Sequence, residues 1–161
     1  MIGAITPCLW FAHDAEPAAR HYAGVFANSA IGTISNYGEN MPMPVGTPML
    51  VEFTLRGQPF QTLNGGAPMA PSQAISLSVD CADQAELDQI WDGLLAGGGE
   101  PVQCGWLKDR FGVSWQIVPR MMGDLQRTGT SEQVGRLMQA MMGMVKLEIA
   151  TLQAAFDGAS A

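Results

Sequence analysis

Two glutamines in matching surroundings are the residues of this chain best placed to do chemistry. Gly57-Gln58-Pro59-Phe60-Gln61 and Gly112-Val113-Ser114-Trp115-Gln116 share one pattern: glycine, two residues, an aromatic, then glutamine. A glutamine amide offers donors and an acceptor without charge, so it can orient a ligand but neither titrates nor neutralises a cation. Other candidates are sparse. His13 and His21 are the only histidines; one sits at a strand-to-helix corner and the other beside a helix's apolar face, which reads as surface histidine rather than metal ligand. Cys8, Cys81 and Cys104 are widely spaced, with neither CxxC pairing nor a disulfide framework. They read as reduced, inert thiols. Cys104 is the one nucleophile candidate, and no histidine lies near it in sequence to activate it.

Composition narrows the partners. The 161 residues suit one compact domain or two half-size modules sharing a core. Hydrophobic residues make up 47% and charged residues only 14%, leaving apolar area for a core, a cavity or a subunit interface. A net charge of −7 repels phosphate backbones, and the eight Lys and Arg form no basic patch, so nucleic acid is excluded as a partner. A run of about 18 apolar residues, enough to cross a bilayer, occurs nowhere, so no membrane association is expected. The opening Met1-Ile2-Gly3-Ala4-Ile5 lacks a basic segment followed by a long apolar run, and the expected location is cytoplasmic.

The elements that must position the glutamines recur in the same order. A strand at about Ile5 to Phe11 leads to Asp14, the expected cap of a helix with Ala15, Ala18, Ala19, Tyr22, Val25 and Phe26 on its apolar face. Strands follow near Ile31–Tyr37, Met49–Leu55 and Gln58–Leu63, separated by Gly, Pro and Asn. Asn64 to Pro71 reads as a linker. The second copy opens with a strand at Ala74–Asp80, then Asp83 and Glu86 as a variant capping box. Its helix carries Leu87, Ile90, Trp91, Leu94 and Leu95, stops at the glycines 97 to 99, and precedes strands near Pro101–Leu107 and Val113–Pro119.

The expected fold class is therefore α+β: two βαβββ modules, residues 1–66 and 72–120, followed by a helical extension over 121–161. Two copies too small to bury their own sheets imply a paired architecture with a cavity at the junction. In the extension, Thr130 and Gln133 form a second expected capping box, opening a helix with Val134, Leu137, Met138 and Met141 inward. Gly143 breaks or bends it, and a last helix presents Val145, Ile149, Leu152 and Phe156. The surface of Met138, Met141, Met142 and Met144 is adaptable, and either covers the module's own sheet or meets a second copy.

The duplicated unit, the opening Ile5-Thr6-Pro7-Cys8-Leu9-Trp10-Phe11, and the string from Cys104-Gly105-Trp106 through Asp109 and Gly112 to Trp115-Gln116-Ile117-Val118-Pro119 resemble the PhnB-like branch of the vicinal oxygen chelate superfamily. That superfamily includes glyoxalase I, the bleomycin-resistance proteins and extradiol dioxygenases, and the branch often carries the label demethylubiquinone 3-methyltransferase-like. The similarity is read over nearly the whole chain, including the tail from Arg136 to Phe156. It implies a cup of paired sheets and, in metal-using relatives, one ligand from the first and one from the last strand of each module. Carried over, the last-strand positions fall on Gln61 and Gln116, and the first-strand positions near Thr6 (or Pro7) and Ala74. Two amides, a hydroxyl and a methyl suit a divalent cation poorly, so no cofactor is expected.

Strand alternation then fills in the expected pocket. Gln116 shares its face with Ser114 and Val118, leaving Val113, Trp115 and Ile117 against the helix. Gln61 faces the cup, with Phe60 and Thr62 behind. Ser76 and Ser78 come from the second module's opening strand, and Thr6, Cys8 and Trp10 from the first module's. Cys104 and Trp106 are placed in the cup as well. Glu52 and Thr54 share the face opposite Val51, Phe53 and Leu55, which is either a polar cavity wall or solvent. Asp109 with Gly112 reads as the turn that fixes the last hairpin.

An aromatic-walled pocket with uncharged hydrogen-bond groups suits a planar or amphipathic small molecule, and offers nothing that titrates near neutrality for acid–base work. The expected function is small-molecule binding by a homodimer without a tightly held metal. The alternative is a metal-dependent lyase, isomerase or dioxygenase with non-standard ligands. A methyltransferase of the doubly wound kind would need a glycine-rich loop between strand and helix, and Gly97-Gly98-Gly99 instead follows a helix.

Overall fold

The computed structural model describes residues 5–159, so the outermost ends of the expected modules, residues 1–4 and 160–161, lie outside the described residues. The chain divides between Pro71 and Ser72 into two compact units. The first contains β1 (Cys8–Phe11), α1 (Ala15–Val25), β2 (Ala30–Asn36), β3 (Pro48–Leu55) and β4 (Gln58–Asn64). The second contains β5 (Leu77–Cys81), α2 (Gln84–Leu95), β6 (Glu100–Pro101), β7 (Trp106–Lys108) and β8 (Ser114–Pro119), then α3 (Met121–Thr128), α4 (Ser131–Met142) and α5 (Ile149–Asp157). The sheet orders, β1-β4-β3-β2 and β5-β8-β7-β6, are the same topology repeated. In each, the first strand runs parallel to the last and the remaining pairs are antiparallel. The fold is α+β with C-terminal helices.

Each sheet buries one face against its helix. In the first unit Val51, Phe53, Leu55, Phe60 and Thr62 pack toward α1, whose Ala15, Ala18, Ala19 and Tyr22 are fully buried. Small alanines let the helix approach closely, so Tyr22 stacks on Phe53 with centroids 6.4 Å apart and Phe53 on Phe60 at 5.6 Å. Burying each such side chain is worth about 1.5–3 kcal/mol. In the second unit Leu87, Ile90, Trp91 and Leu94 of α2 cover Val79, Leu107, Trp115 and Ile117. The period-two alternation expected of β3 and β4 is what the burial shows; in β8 Trp115 and Ile117 are buried as expected, but Ser114, expected on the Gln116 face, is buried as well.

Several local expectations need correction. Asp14 makes no side-chain cap on α1; the amide of Ala15 donates instead to Asn64 Oδ1 at 2.8 Å. Asn64 is thus not linker: it ends β4, is buried, and its Nδ2 donates to the Pro48 carbonyl at 2.8 Å. Asp83 does cap α2, accepting from the Glu86 amide at 2.9 Å, but Glu86 returns to the amide of Ala82 rather than to Asp83. The strand expected over Pro101–Leu107 is split in two because Cys104 and Gly105 adopt positive φ, 62° and 78°.

The tail departs further. The sequence pattern predicts no element between Pro119 and Thr130, yet α3 forms there, with Met122 as its buried residue. The Thr130–Gln133 capping box is present and opens α4. Leu137 is fully buried while Val134, Met138 and Met141 are only partly so. Val145 precedes α5 and is 47% exposed, so it is not part of the helix's inward face; Leu152 and Phe156 are. Among the described residues no helix is long and apolar enough to cross a membrane.

Candidate functional site

The face of each sheet turned away from its helix carries the repeated glutamine on the central strand. In the first unit Gln61 of β4 stands between Cys8 of β1 and Glu52 of β3 in the strand register. Its Nε2 lies 3.5 Å from Glu52 Oε1, long for a hydrogen bond. A cavity of about 370 Å³ opens here, with Thr6, Thr33, Glu52 and Gln61 among its lining side chains. Glu52 therefore belongs to a polar cavity wall as well as being exposed. Cys8 is exposed in its residue-level surface, but the sheet around its sulfur desolvates the thiolate and raises its pKa above the ordinary thiol value.

In the second unit Gln116 of β8 stands between Ser78 of β5 and Trp106 of β7. Its Nε2 donates to Ser76 Oγ at 2.7 Å. Cys104, Trp106, Gln116 and Val118 share a cavity of about 500 Å³. The backbone beneath them is held by Asp109, which is 1% exposed. Its carboxylate accepts from the amides of Phe111 at 2.9 Å and Val113 at 3.0 Å, and from Trp115 Nε1 at 2.8 Å. The Gly112 amide closes the turn onto the Asp109 carbonyl at 2.9 Å, with φ at +86°. The turn role expected of Asp109 and Gly112 holds, and it also anchors Trp115 on the far side of the sheet from Gln116.

The first-strand position needs reassignment in the second unit. Ala74 lies in a turn, where Ser72 Oγ accepts from its amide at 3.1 Å, and is exposed. The register settles the equivalence: Cys8 pairs with Gln61 as Ser78 pairs with Gln116. Stepping back two residues along each strand matches Thr6 with Ser76. Trp10 shares the face of Cys8, as expected, leans over Gly65 and donates Nε1 to the Ala67 carbonyl at 3.0 Å; the residues lining the cavity at Gln61 do not include it. A Cβ at Gly65 would sit 1.7 Å from the Trp10 ring, so that position must be glycine.

The second cavity is also not purely neutral. Asp80, Arg120, Asp124 and Arg127 contribute to its lining, and Arg127 ion-pairs with Asp124. Met122, Met141 and Leu147 from the tail also line this cavity, residues that sequence reasoning did not bring to the site. Their apolar periodicity gave a buried face but not its partner.

Neither constellation fits a divalent cation of the kind that His and Glu ligands hold. Gln116 gives one of its amide N–H groups to Ser76 and has a neutral carbonyl, two serine hydroxyls and the single sheet carboxylate of Asp80 around it; Gln61 has one carboxylate beside it, Glu52. Among the described residues no three His, Cys, Asp or Glu side chains are grouped to hold a metal ion. His13 is exposed, and His21 is half-buried with its ring edge-on to Tyr22 at 5.9 Å, in α1 and apart from the cavity lining.

The sequence matches the family model described as 3-demethylubiquinone-9 3-methyltransferase over residues 3–118. The solved structure of a putative 3-demethylubiquinone-9 3-methyltransferase, PhnB protein, from Bacillus cereus is 33% identical with a TM-score of 0.67, covering 73% of this chain and 99% of that one. A Pseudomonas aeruginosa protein is 20% identical with a TM-score of 0.57 over 69% of this chain and 92% of that one, a likeness of fold alone. A glyoxalase/bleomycin resistance protein from Albidiferax ferrireducens, 14% identical, aligns over 68% of this chain and 92% of its own with a TM-score of 0.46. No curated protein matches. The family match stops at residue 118, so the tail from Arg136 to Phe156, expected to share in the resemblance, falls outside it. With the same βαβββ topology twice over and a family match across most of its length, the chain belongs to the 3-demethylubiquinone-9 3-methyltransferase family, PhnB-like proteins of the vicinal oxygen chelate fold.

Proposed function

We propose that this protein binds a small, flat or amphipathic organic molecule on the open face of its second sheet, without needing a tightly held metal. The observation that carries this reading is the setting of Gln116. An uncharged amide carbonyl sits in a cavity of about 500 Å³ beside the Trp106 ring, with Val118, Met122 and Met141 supplying apolar wall. Such a surface holds a ligand by stacking and dispersion and fixes its orientation with a few directional bonds. The polar cavity at Gln61 and Glu52 is a second place where an uncharged or cationic group could be held.

Methyl transfer, which the family description names, finds less support in these residues. The strand-to-helix corners are Ala12-His13-Asp14 and Ala82-Asp83, and neither offers the glycine-rich turn that cradles a nucleotide-like cofactor. We further infer a homodimer, supported by the apolar side chains of Met142 and Val145, 58% and 47% exposed on the second unit. Light scattering on the purified protein gives its mass directly, and a monomer at micromolar concentration would remove the dimer from the account.

The binding reading is tested by fluorescence titration with 8-anilinonaphthalene-1-sulfonate, an aromatic amphiphile. Trp106→Ala and Gln116→Leu should each weaken binding by about tenfold or more. Wild-type affinity in both variants would reject the site.

A further inference from the structure

We infer that residues beyond the family match, in particular Gly123 of α3, determine which ligand the second cavity admits; this rests on the binding reading above. The sheet side of the cavity, from Cys104 to Val118, lies within the matched residues 3–118. Other parts of the lining do not. Met122, Gly123 and Gln126 come from α3, Met141 from α4, and Leu147 from the connection to α5.

The Leu147 part of that lining is fixed in place. Residues 144–149 are stitched to the unit at both ends. The amides of Cys104 and Gly105 donate to the carbonyls of Met144 at 2.7 Å and Val145 at 2.8 Å. Gln84 donates to the Leu147 carbonyl at 3.2 Å and accepts from the Ile149 amide at 2.8 Å. Lys146 pairs with Asp88 at 2.7 Å, Leu147 is fully buried, and Met122 is 3% exposed. A ligand must therefore fit the gap this lining leaves.

Gly123 is where the gap is set. It lines the cavity, and a Cβ built on it would meet no heavy atom within 4 Å. Glycine inside a helix is unfavourable relative to alanine, so nothing in α3 itself asks for it. Gly135 on α4 has equally open surroundings but is not among the cavity-lining residues, which makes it the matched control. Gly123 is exposed and a side chain there meets no core, so at this edge of the cavity it should alter ligand size selection without changing the fold.

The experiment is titration of 8-anilinonaphthalene-1-sulfonate into wild type, Gly123→Ala, Gly123→Phe, Gly135→Phe and Gln116→Leu, with melting temperatures recorded alongside. We expect Gly123→Phe to weaken binding by about tenfold or more, Gly123→Ala by less than about threefold, and Gly135→Phe not at all. Melting temperatures of the Gly123 variants should equal or exceed that of wild type. Loss of affinity in Gln116→Leu with none in Gly123→Phe overturns this inference and leaves the binding reading standing. Full affinity in both overturns both. Should Gly123→Phe fail to fold, methyl-labelled methionine spectra of wild type decide: probe-induced shifts at Met122 and Met141 support the wall, and shifts absent there reject it.

Discussion

Gln116 donates its side-chain amide to the Ser76 hydroxyl at 2.7 Å, joining the last strand of the second unit to the residue just before its first strand. The bond fixes which way the amide points and leaves its carbonyl as the group a ligand would meet.

Removing that hydroxyl should therefore be felt where removing nearby exposed groups is not. Ser76→Ala leaves a part-buried amide donor unpaired and is expected to cost about 0.5–1.5 kcal/mol in urea unfolding. Ala74→Ser, at the exposed turn position, should stay within about 0.5 kcal/mol of wild type. Equal effects at the two positions would undo the reassignment of the first-strand site from 74 to 76.

Asp109 is the strongest single polar anchor of the second unit. Asp109→Ala removes the acceptor of two backbone amides and of the buried Trp115 indole, and is expected to destabilise by about 3 kcal/mol or more. Chemical denaturation followed by tryptophan fluorescence measures it. A loss below about 1 kcal/mol would mean that the turn does not depend on the carboxylate.

Much of this was legible in the sequence because it is local or periodic. Alternation in Val51-Glu52-Phe53-Thr54-Leu55 and around Gln116 put the right side chains on the right faces, and helical spacing found the buried faces of α1 and α2. What was not legible depends on contacts distant in sequence. The α1 amide finds its cap on Asn64, 49 residues away, so the nearer Asp14 misleads. The strand break at Cys104 and Gly105 follows from bonds to Met144 and Val145 that no local pattern announces. Helix α3 lacks a side-chain N-cap and contains Gly123, both poor helix signals, and its Met122 is buried nonetheless. That tail residues share a cavity with Gln116 is a tertiary fact.

The strap at residues 144–149 explains the left-handed Cys104. A non-glycine residue with φ at +62° costs about 1–2 kcal/mol, set against the two backbone bonds it permits. Cys104→Gly should be neutral or stabilising in thermal melts. Gly105→Ala should destabilise by about 2 kcal/mol or more, since φ is +78° and a Cβ would lie 2.9 Å from both the Ile117 carbonyl and the Leu147 side chain. Marked loss in Cys104→Gly, or none in Gly105→Ala, would contradict the strap's geometry.

Its ion pair gives a pH signature. The hydrogen bond from Lys146, aided by Gln84, lowers the pKa of Asp88 below 3.8, while the same bond raises that of Lys146 above 10.5. The lowered Asp88 pKa contributes stability that is present above the ordinary carboxylate value and lost as pH falls through the folded value. The raised Lys146 pKa contributes stability that is fully present below the ordinary lysine value and lost as pH rises through the folded value. The difference in melting temperature between wild type and Asp88→Asn should hence be largest across neutral pH and shrink at both extremes. It should be small and salt-sensitive, because both side chains are partly exposed. A difference that grows toward low pH would reverse the sign of this account.

The most direct test of metal-independent recognition at Gln116 is the metal dependence of binding. Wild-type protein, stripped with EDTA and dialysed, is titrated with 8-anilinonaphthalene-1-sulfonate alone and then with Mg²⁺, Mn²⁺, Ni²⁺ or Zn²⁺ present. The affinity is expected to stay within about twofold throughout. Binding that appears only when a divalent ion is added, or that tightens by about tenfold or more with it, would contradict the account.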